Sequence, residues 1–206
     1  MSLKILWYCT KNKPYLLYEP SIDKNNPCRL LRTTIDKTIY NCVKENAVNG
    51  KIVAESDFEV EEVTHGYGKY GEYYQTKTLG LMSLRERSCI SSDKLSKYLK
   101  RGDEVSKVGY AIHIKNLYKF IKPKELKDLY VKGSYHNAEQ MFTDEIQING
   151  EWFHPMERAP QNMCYVFDKN GNKYVVISVH PEWLAMILNG LKDVELRRKV
   201  LKEMKE

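Results

Sequence analysis

Residues 174–197 constrain the fold of this chain more than any other stretch. They open on Tyr174, Val175, Val176, Ile177, Ser178 and Val179, a run rich in β-branched side chains and the length of one buried strand. His180 and Pro181 end that strand, and Pro181 stands where a helix tolerates proline, in its first turn. Trp183, Leu184, Ile187 and Leu188 then recur at helical spacing. Asn189 and Gly190 stop the helix with a pair that accepts left-handed geometry. Residues 193–197 alternate: Val194 and Leu196 face one way, Asp193, Glu195 and Arg197 the other, as in a short half-buried strand. Lys192, Glu195 and Arg197 thus form a charged cluster beside one helix end, a placement that suits the mouth of a cleft.

The rest of the chain reads as short strands broken by turns. Strands are expected at residues 4–10, 15–18, 51–63 and 162–167, and a buried strand at 110–120 that bends at Asn116. Asn49-Gly50 is a turn signal, and residues 168–172 form a hairpin turn into the strand at Tyr174. Ser91 and Ser92 cap a helix over 93–99, and Pro123 starts a short one. Residues 65–78, rich in Gly and Tyr without helical period, are expected to be a mobile loop or binding lid. Residues 21–47 and 131–155 read as polar, irregular insertions. Short strands outnumber helices, which suggests a twisted small barrel with helices at its ends.

Composition narrows the function classes. With 206 residues, 42% hydrophobic and 29% charged, the chain is ordinary for a globular domain and long enough for a substantial core. No apolar run approaches the ~20 residues that cross a bilayer, so no membrane partner is expected. The N-terminus lacks the apolar core of a secretion signal. Five scattered cysteines, never in C-x-x-C spacing, fit neither a zinc cluster nor a disulfide framework. A reducing cytoplasm is the expected compartment. Cys9 and Cys164 lie in apolar strands, as small core residues do. No phosphate loop, nucleotide fingerprint or metal spacing is present, so neither cofactor nor metal is expected. A net charge of +6 leans toward an anionic partner, although each basic run has the look of a solvated helix face too. Fifteen tyrosines among those basic residues supply the stacking faces that single-stranded nucleic acid uses.

The segment from Gly190 to Arg197 resembles the G-x-K-x-x-E-x-R signature of the ASCH domain, a branch of the PUA-like superfamily of RNA-associated small barrels. The strand and proline-led helix before it are similar to the I-S-I-x-P-x-x-x-x-x-I-x-x-G lead-in of that family. Residues 6–13 (LWYCTKNK), 49–55 (NGKIVAE), 109–114 (GYAIHI) and 158–166 (RAPQNMCYV) resemble a bacterial and phage subgroup. The resemblance implies an α+β fold, a small PUA-like β-barrel with flanking helices. It implies one domain over 1–206, with insertions near 19–48 and 131–157. The order departs from the family, because the signature comes last and the Tyr8-Cys9-Thr10-Lys11 strand first. Circular permutation explains this, and then residues 194–196 pair beside residues 5–8. A chain that has lost an N-terminal motif is the alternative.

Within the superfamily, an amidohydrolase that deacetylates N4-acetylcytidine uses the signature lysine and a threonine three residues later. Lys192 matches the lysine, but Glu195 takes the threonine's place. A carboxylate cannot replace that hydroxyl as acyl acceptor, since the mixed anhydride is far more labile. Glu195 as general base and Lys192 as electrostatic partner remain the candidate catalytic pair, of ribonuclease or amidohydrolase type. A Lys192–Glu195–Arg197 ion-pair network that only shapes the cleft rim is the competing reading. Expected ligand contacts are Arg197, Tyr8, Lys11, His113, Arg158 and Gln161, with His113 either turned into the cleft beside the signature strand or held as a satisfied core histidine, the commoner outcome. Two classes stand side by side: a module that binds RNA or a modified nucleoside, and a small hydrolase acting on one. A protein-interaction adaptor is the third.

Overall fold

A computed structural model describes residues 3–10, 50–69, 71–99, 107–132 and 144–205. Lys11, the short strand expected at 15–18 and the insertion near 19–48 lie outside the described residues. Among the described residues ten strands form one sheet: β1 (Lys4–Cys9), β2 (Lys51–Gly68), β3 (Gly71–Gln75), β4 (Lys107–Glu125), β5 (Tyr130–Lys132), β6 (Ile146–Ile148), β7 (Glu151–Pro155), β8 (Met163–Phe167), β9 (Lys173–Val179) and β10 (Val194–Arg197). The order is β10-β4-β2-β1-β9-β8-β5-β7-β6, with β3 paired to β2 off this path. Helices α1 (Leu81–Ser88), α2 (Ser92–Leu99) and α3 (Pro181–Leu188) flank it, with 3-10 turns at Leu126–Asp128 and Lys202–Lys205. The architecture is therefore α+β and dominated by strand. Backbone pairing among the described residues does not close it into a barrel. No helix among the described residues is long and apolar enough to cross a membrane.

The central strand β1 shows why the sheet is covered on both sides. Ile5, Trp7 and Cys9 face one core with Ile112, Val175, Ile177 and the α3 residues Leu184, Ala185 and Ile187. Leu6 and Tyr8 face another, with Ile52, Leu126, Met156 and Val176. A strand buried on both faces needs a continuous apolar run rather than alternation, and β1 and β9 both have one. Trp7 is fully buried and donates its indole N–H to the Ser56 hydroxyl at 3.0 Å, so its polar edge is satisfied. A third core lies where α1 and α2 pack Leu84, Leu95 and Leu99 onto Val63, Ala111, Val194 and Leu196.

Several local signals translate directly. His180 is the N-cap residue of α3, Pro181 opens the helix, and Gly190 just beyond it has φ +72°. Asp168 holds the β8–β9 turn by accepting from the backbone N–H groups of Asn170 and Asn172 at 2.9 Å each. β4 bends at Asn116, whose φ is +48°.

Other expectations need correction. Residues 194–196 do not pair beside residues 5–8: β10 pairs with β4, and β4 and β2 stand between it and β1. Residues 65–68 and 71–75 are strand rather than loop. β2 runs on to Gly68 and turns back as β3, burying His65 and Tyr74. The Gly and Tyr content has a packing reason. Tyr73 lies opposite Gly66, and a Cβ there would sit 2.5 Å from the Tyr73 ring; glycine is the floor on which the tyrosine lies. The segment 131–155 is not irregular where it is described, since it supplies β6, β7 and the end of β5. The short helix expected at Pro123 is the 3-10 turn at Leu126–Asp128, because β4 continues to Glu125. Helix α1 carries only weak helical periodicity in its sequence and was not expected.

Gly109 is required where β4 meets β10. A Cβ on it would lie 2.8 Å from the Arg197 carbonyl oxygen and 2.9 Å from Leu99 Cδ2. Backbone cannot yield as a side-chain tip does, so Gly109→Ala is expected to cost about 1–3 kcal/mol. Urea unfolding of the two proteins measures it, and equal midpoints would show that β10 can shift freely.

Candidate functional site

Lys192, Glu195 and Arg197 are brought together, and they are closed in. Lys192 follows the α3 stop, and its side chain runs under the end of α1. There Nζ donates to the Ser88 carbonyl at 2.7 Å, lies 3.2 Å from Glu195 Oε2, and sits 5.2 Å from the Trp183 ring centroid. A cation at a helix C-terminus meets carbonyls that have no partner within the helix. The ammonium therefore faces a carbonyl, a carboxylate and an aromatic ring inside the fold. Only 2% of Lys192 and 8% of Glu195 are exposed, so neither presents itself to a substrate.

Arg197 completes the network from the other side. Its Nε is 3.0 Å from Glu195 Oε1, while its terminal nitrogens donate to Asn162 Oδ1 at 2.8 Å and to the Ser178 carbonyl at 2.9 Å. The last two partners belong to the β8–β9 side of the sheet. Arg197 therefore laces β10 to β9 by a side chain, across a gap the backbone ladder leaves open. Burial pushes the Glu195 carboxyl up, but the Lys192 and Arg197 charges pull it down more strongly, and it is held below the usual carboxylate range. A carboxylate both stabilised as the anion and shut from solvent is a poor proton acceptor.

His113 is not part of this cluster. Glu195 pairs with Ile112 on β4, and His113 pairs with Val194, so the imidazole and the carboxylate occupy opposite faces of the sheet. On its own face His113 Nε2 lies 3.2 Å from Glu61 Oε2, which also accepts from the Thr78 hydroxyl at 2.8 Å. Burial raises the Glu61 carboxyl, and the hydrogen bonds from Thr76, Thr78 and His113 bring it below its ordinary value.

Three of the expected ligand contacts meet elsewhere. Tyr8, Arg158 and Gln161 line one open cleft of about 620 Å³, bounded by the ends of β1 and β9 and by the stretch from Met156 to Gln161. Thr10, Glu125, Lys127, Glu157, Ser178 and His180 complete its polar lining, so two carboxylates stand beside the two basic side chains Lys127 and Arg158. Arg158 and Gln161 are exposed, whereas Tyr8 is 3% exposed and forms the floor, its phenol pushed up by burial. The Thr10 hydroxyl is buried and has no hydrogen-bond partner among the described residues. Arg197 stands behind this cleft: it holds the Ser178 carbonyl, while Ser178 donates its hydroxyl to the Pro160 carbonyl at 2.7 Å. Ser178 interrupts the apolar run 175–179, a signal that could have found it. Thr10 and Lys127 carried no signal of their own.

Among the described residues, no group of three or more His, Cys, Asp or Glu side chains is placed to hold a metal ion. The Cys164 thiol is pushed up to about 11 by burial, which makes it unreactive at neutral pH. In comparisons with protein-family models, curated proteins and solved structures, nothing matches the chain. The class defined by fold and site is thus an α+β protein with one curled, open sheet, a buried ion-pair network and a polar cleft in front of it.

Proposed function

We propose that this protein binds single-stranded RNA or a modified nucleoside, and that the cleft at Tyr8, Arg158 and Gln161 holds one nucleoside unit. The observation that carries the reading is the convergence on one cleft of two segments far apart in sequence, one bearing Tyr8 and the other Arg158 and Gln161. The cleft's volume of about 620 Å³ falls in the range of small-molecule sites. Gln161 offers an amide to a base edge, Arg158 a guanidinium to phosphate, and Thr10 and Ser178 hydroxyls. The likeness of residues 190–197 to the ASCH signature supports the same reading, as does the positive balance of the chain. A permuted, barrel-like PUA arrangement belongs to this proposal. Leu3 lines a groove together with Glu203, Met204 and Lys205, so the two described ends lie close, as a permutation requires.

Binding is expected to be weak and salt-sensitive, because few groups read a base and phosphate contact falls to Arg158 and Lys127 beside the carboxylates of Glu125 and Glu157. Arg158→Ala should weaken binding of short single-stranded oligonucleotides by roughly 5–10-fold and flatten the salt dependence by about one phosphate contact. Lys97→Ala, at an exposed position of α2, should change neither. Titration of labelled oligonucleotides at two salt concentrations is the test. Equal affinity at both concentrations, or no binding at low salt, would remove the proposal.

A further inference from the structure

Beyond its pairing with β10, β4 runs on as a basic and aromatic arm that ends at the cleft. Residues 115–127 carry five lysines and one acid, Glu125. Lys115 is paired with Glu59, and Glu125 with Lys51 at 3.2 Å. Lys122 and Lys127 are exposed and have no ion-pair partner among the described residues. Lys124 has an aromatic ring where a carboxylate would stand, its ammonium 4.2 Å from the Phe120 centroid. Phe120 in turn meets Tyr118 edge to face, with centroids 5.8 Å apart. Tyr118 is 56% exposed, which leaves ring surface open to a ligand.

Register puts these side chains on the face of the sheet that holds the cleft. Tyr118 pairs with Glu55, which pairs with Leu6; Lys124 pairs with Ile52, which pairs with Tyr8. Cross-strand partners share a face. Leu6 and Tyr8 belong to one core, and Phe120 packs against it. Alternation sets Lys122 between Phe120 and Lys124 on the same side. Lys119 falls on the opposite face, because it pairs with Ala54, the partner of Trp7. The acid opposite Tyr118 is compensated, since Glu55 accepts from Lys4 at 3.0 Å. Past Lys124 the chain enters the cleft directly, where Glu125, Leu126 and Lys127 line it.

We propose that this face of β4 carries the stretch of single-stranded RNA that runs on from the nucleoside in the cleft. The inference rests on the reading of that cleft as a nucleoside site. Tyr118 stacks a base, and Lys122 and Lys124 meet phosphates. From Tyr118 to Lys124 the arm spans about 20 Å at ~3.4 Å per residue, room for a few nucleotides. An anionic membrane is the poorer occupant. Ile121 is a single exposed aliphatic side chain, too little apolar surface for an anchor.

Titration of the whole chain with labelled octauridylate and with uridine monophosphate tests the proposal. Tyr118→Ala is expected to weaken octauridylate at least ~5-fold, the loss of one base–aromatic stack, and to leave the mononucleotide unchanged. Lys122→Ala combined with Lys124→Ala should flatten the slope of log affinity against log salt by about 1.4, about 0.7 for each phosphate. Lys119→Ala, on the other face, should change neither ligand. Equal octauridylate affinity in wild type and Tyr118→Ala overturns the proposal, as does an equal loss from Lys119→Ala. Arg158→Ala separates the two sites. If it weakens the mononucleotide while the β4 variants weaken nothing, the arm is refuted and the cleft stands. If the β4 variants weaken octauridylate and Arg158→Ala changes neither ligand, the arm stands and the cleft reading is refuted. Binding to phosphatidylserine vesicles that is lost on Ile121→Asp, without octauridylate binding, overturns the proposal in favour of a membrane surface.

Discussion

Glutamine in place of Glu195 is expected to lower stability by about 3–5 kcal/mol, a fall in Tm on the order of 10 °C for a chain of this length. The substitution preserves shape but exchanges one acceptor oxygen for an NH2 donor, and it leaves Lys192 and Arg197 without the one carboxylate between them. Lys192 is buried with its ammonium 3.2 Å from Glu195, and Arg197 lies 3.0 Å away on the other side. Two like charges left in a poorly solvated interior cost more than the lost attraction itself. Adding Lys192→Met to Glu195→Gln should restore part of the loss, since one uncompensated charge is then gone. The double-mutant cycle should therefore be clearly non-additive. Additive effects would mean that the network is solvated.

The same carboxylate sets an acid limit. Its folded pKa lies below the ordinary 4.5, so its contribution is fully present above that value and is lost as pH falls through the folded pKa. Glu61 and Asp168 are depressed as well and add in the same direction. The stability gap between wild type and Glu195→Gln should accordingly shrink below about pH 4.5. Denaturant midpoints measured at neutral pH and in acid check this. A constant gap would assign the loss to packing rather than charge.

Arg197→Ala is the second large effect, expected at about 3 kcal/mol from the loss of charge-assisted contacts to Asn162, Ser178 and Glu195. Among the described residues β10 has β4 as its only strand partner, so Arg197 is what ties it to the β9 side of the sheet. Arg197→Lys should recover only a part, because an ammonium cannot reproduce the planar fork that reaches two strands at once. The effect extends to the cleft. Ser178, Pro160 and Gln161 line it, and Arg197 holds Ser178 and the adjoining Asn162 from behind. At a temperature where both variants are folded, Arg197→Ala should bind single-stranded RNA more weakly than Lys192→Met, which leaves that anchor in place. A Tm within about 2 °C of wild type would show that the contacts of Arg197 are solvent-compensated.

Much of the scaffold was determined by the sequence alone, wherever the cause is local. Pro181 admits a helix start and no helix interior; Gly190 accepts a left-handed backbone that a side chain would resist. Asp168 closes its turn within four residues, and Asn116 takes the positive φ at which β4 bends. The run of apolar residues in β9 is suited only to a place between two packed faces. The charged triplet Lys192, Glu195 and Arg197 was legible too, because alternation and one helix stop bring those side chains together.

Tertiary structure decided what that triplet faces. Lys192 finds the Ser88 carbonyl 104 residues away, at the end of a helix whose own periodicity is weak. Arg197 finds Ser178 and Asn162 only because the sheet curls β9 back toward β10. His113 lies across the sheet from Glu195 because its neighbour on β10 is Val194, and a one-residue slip would have exchanged the two faces. Alternation tells which side chains share a face of one strand. Which face of the next strand they meet depends on register and strand order, and these are set by all the cores together rather than by any one segment.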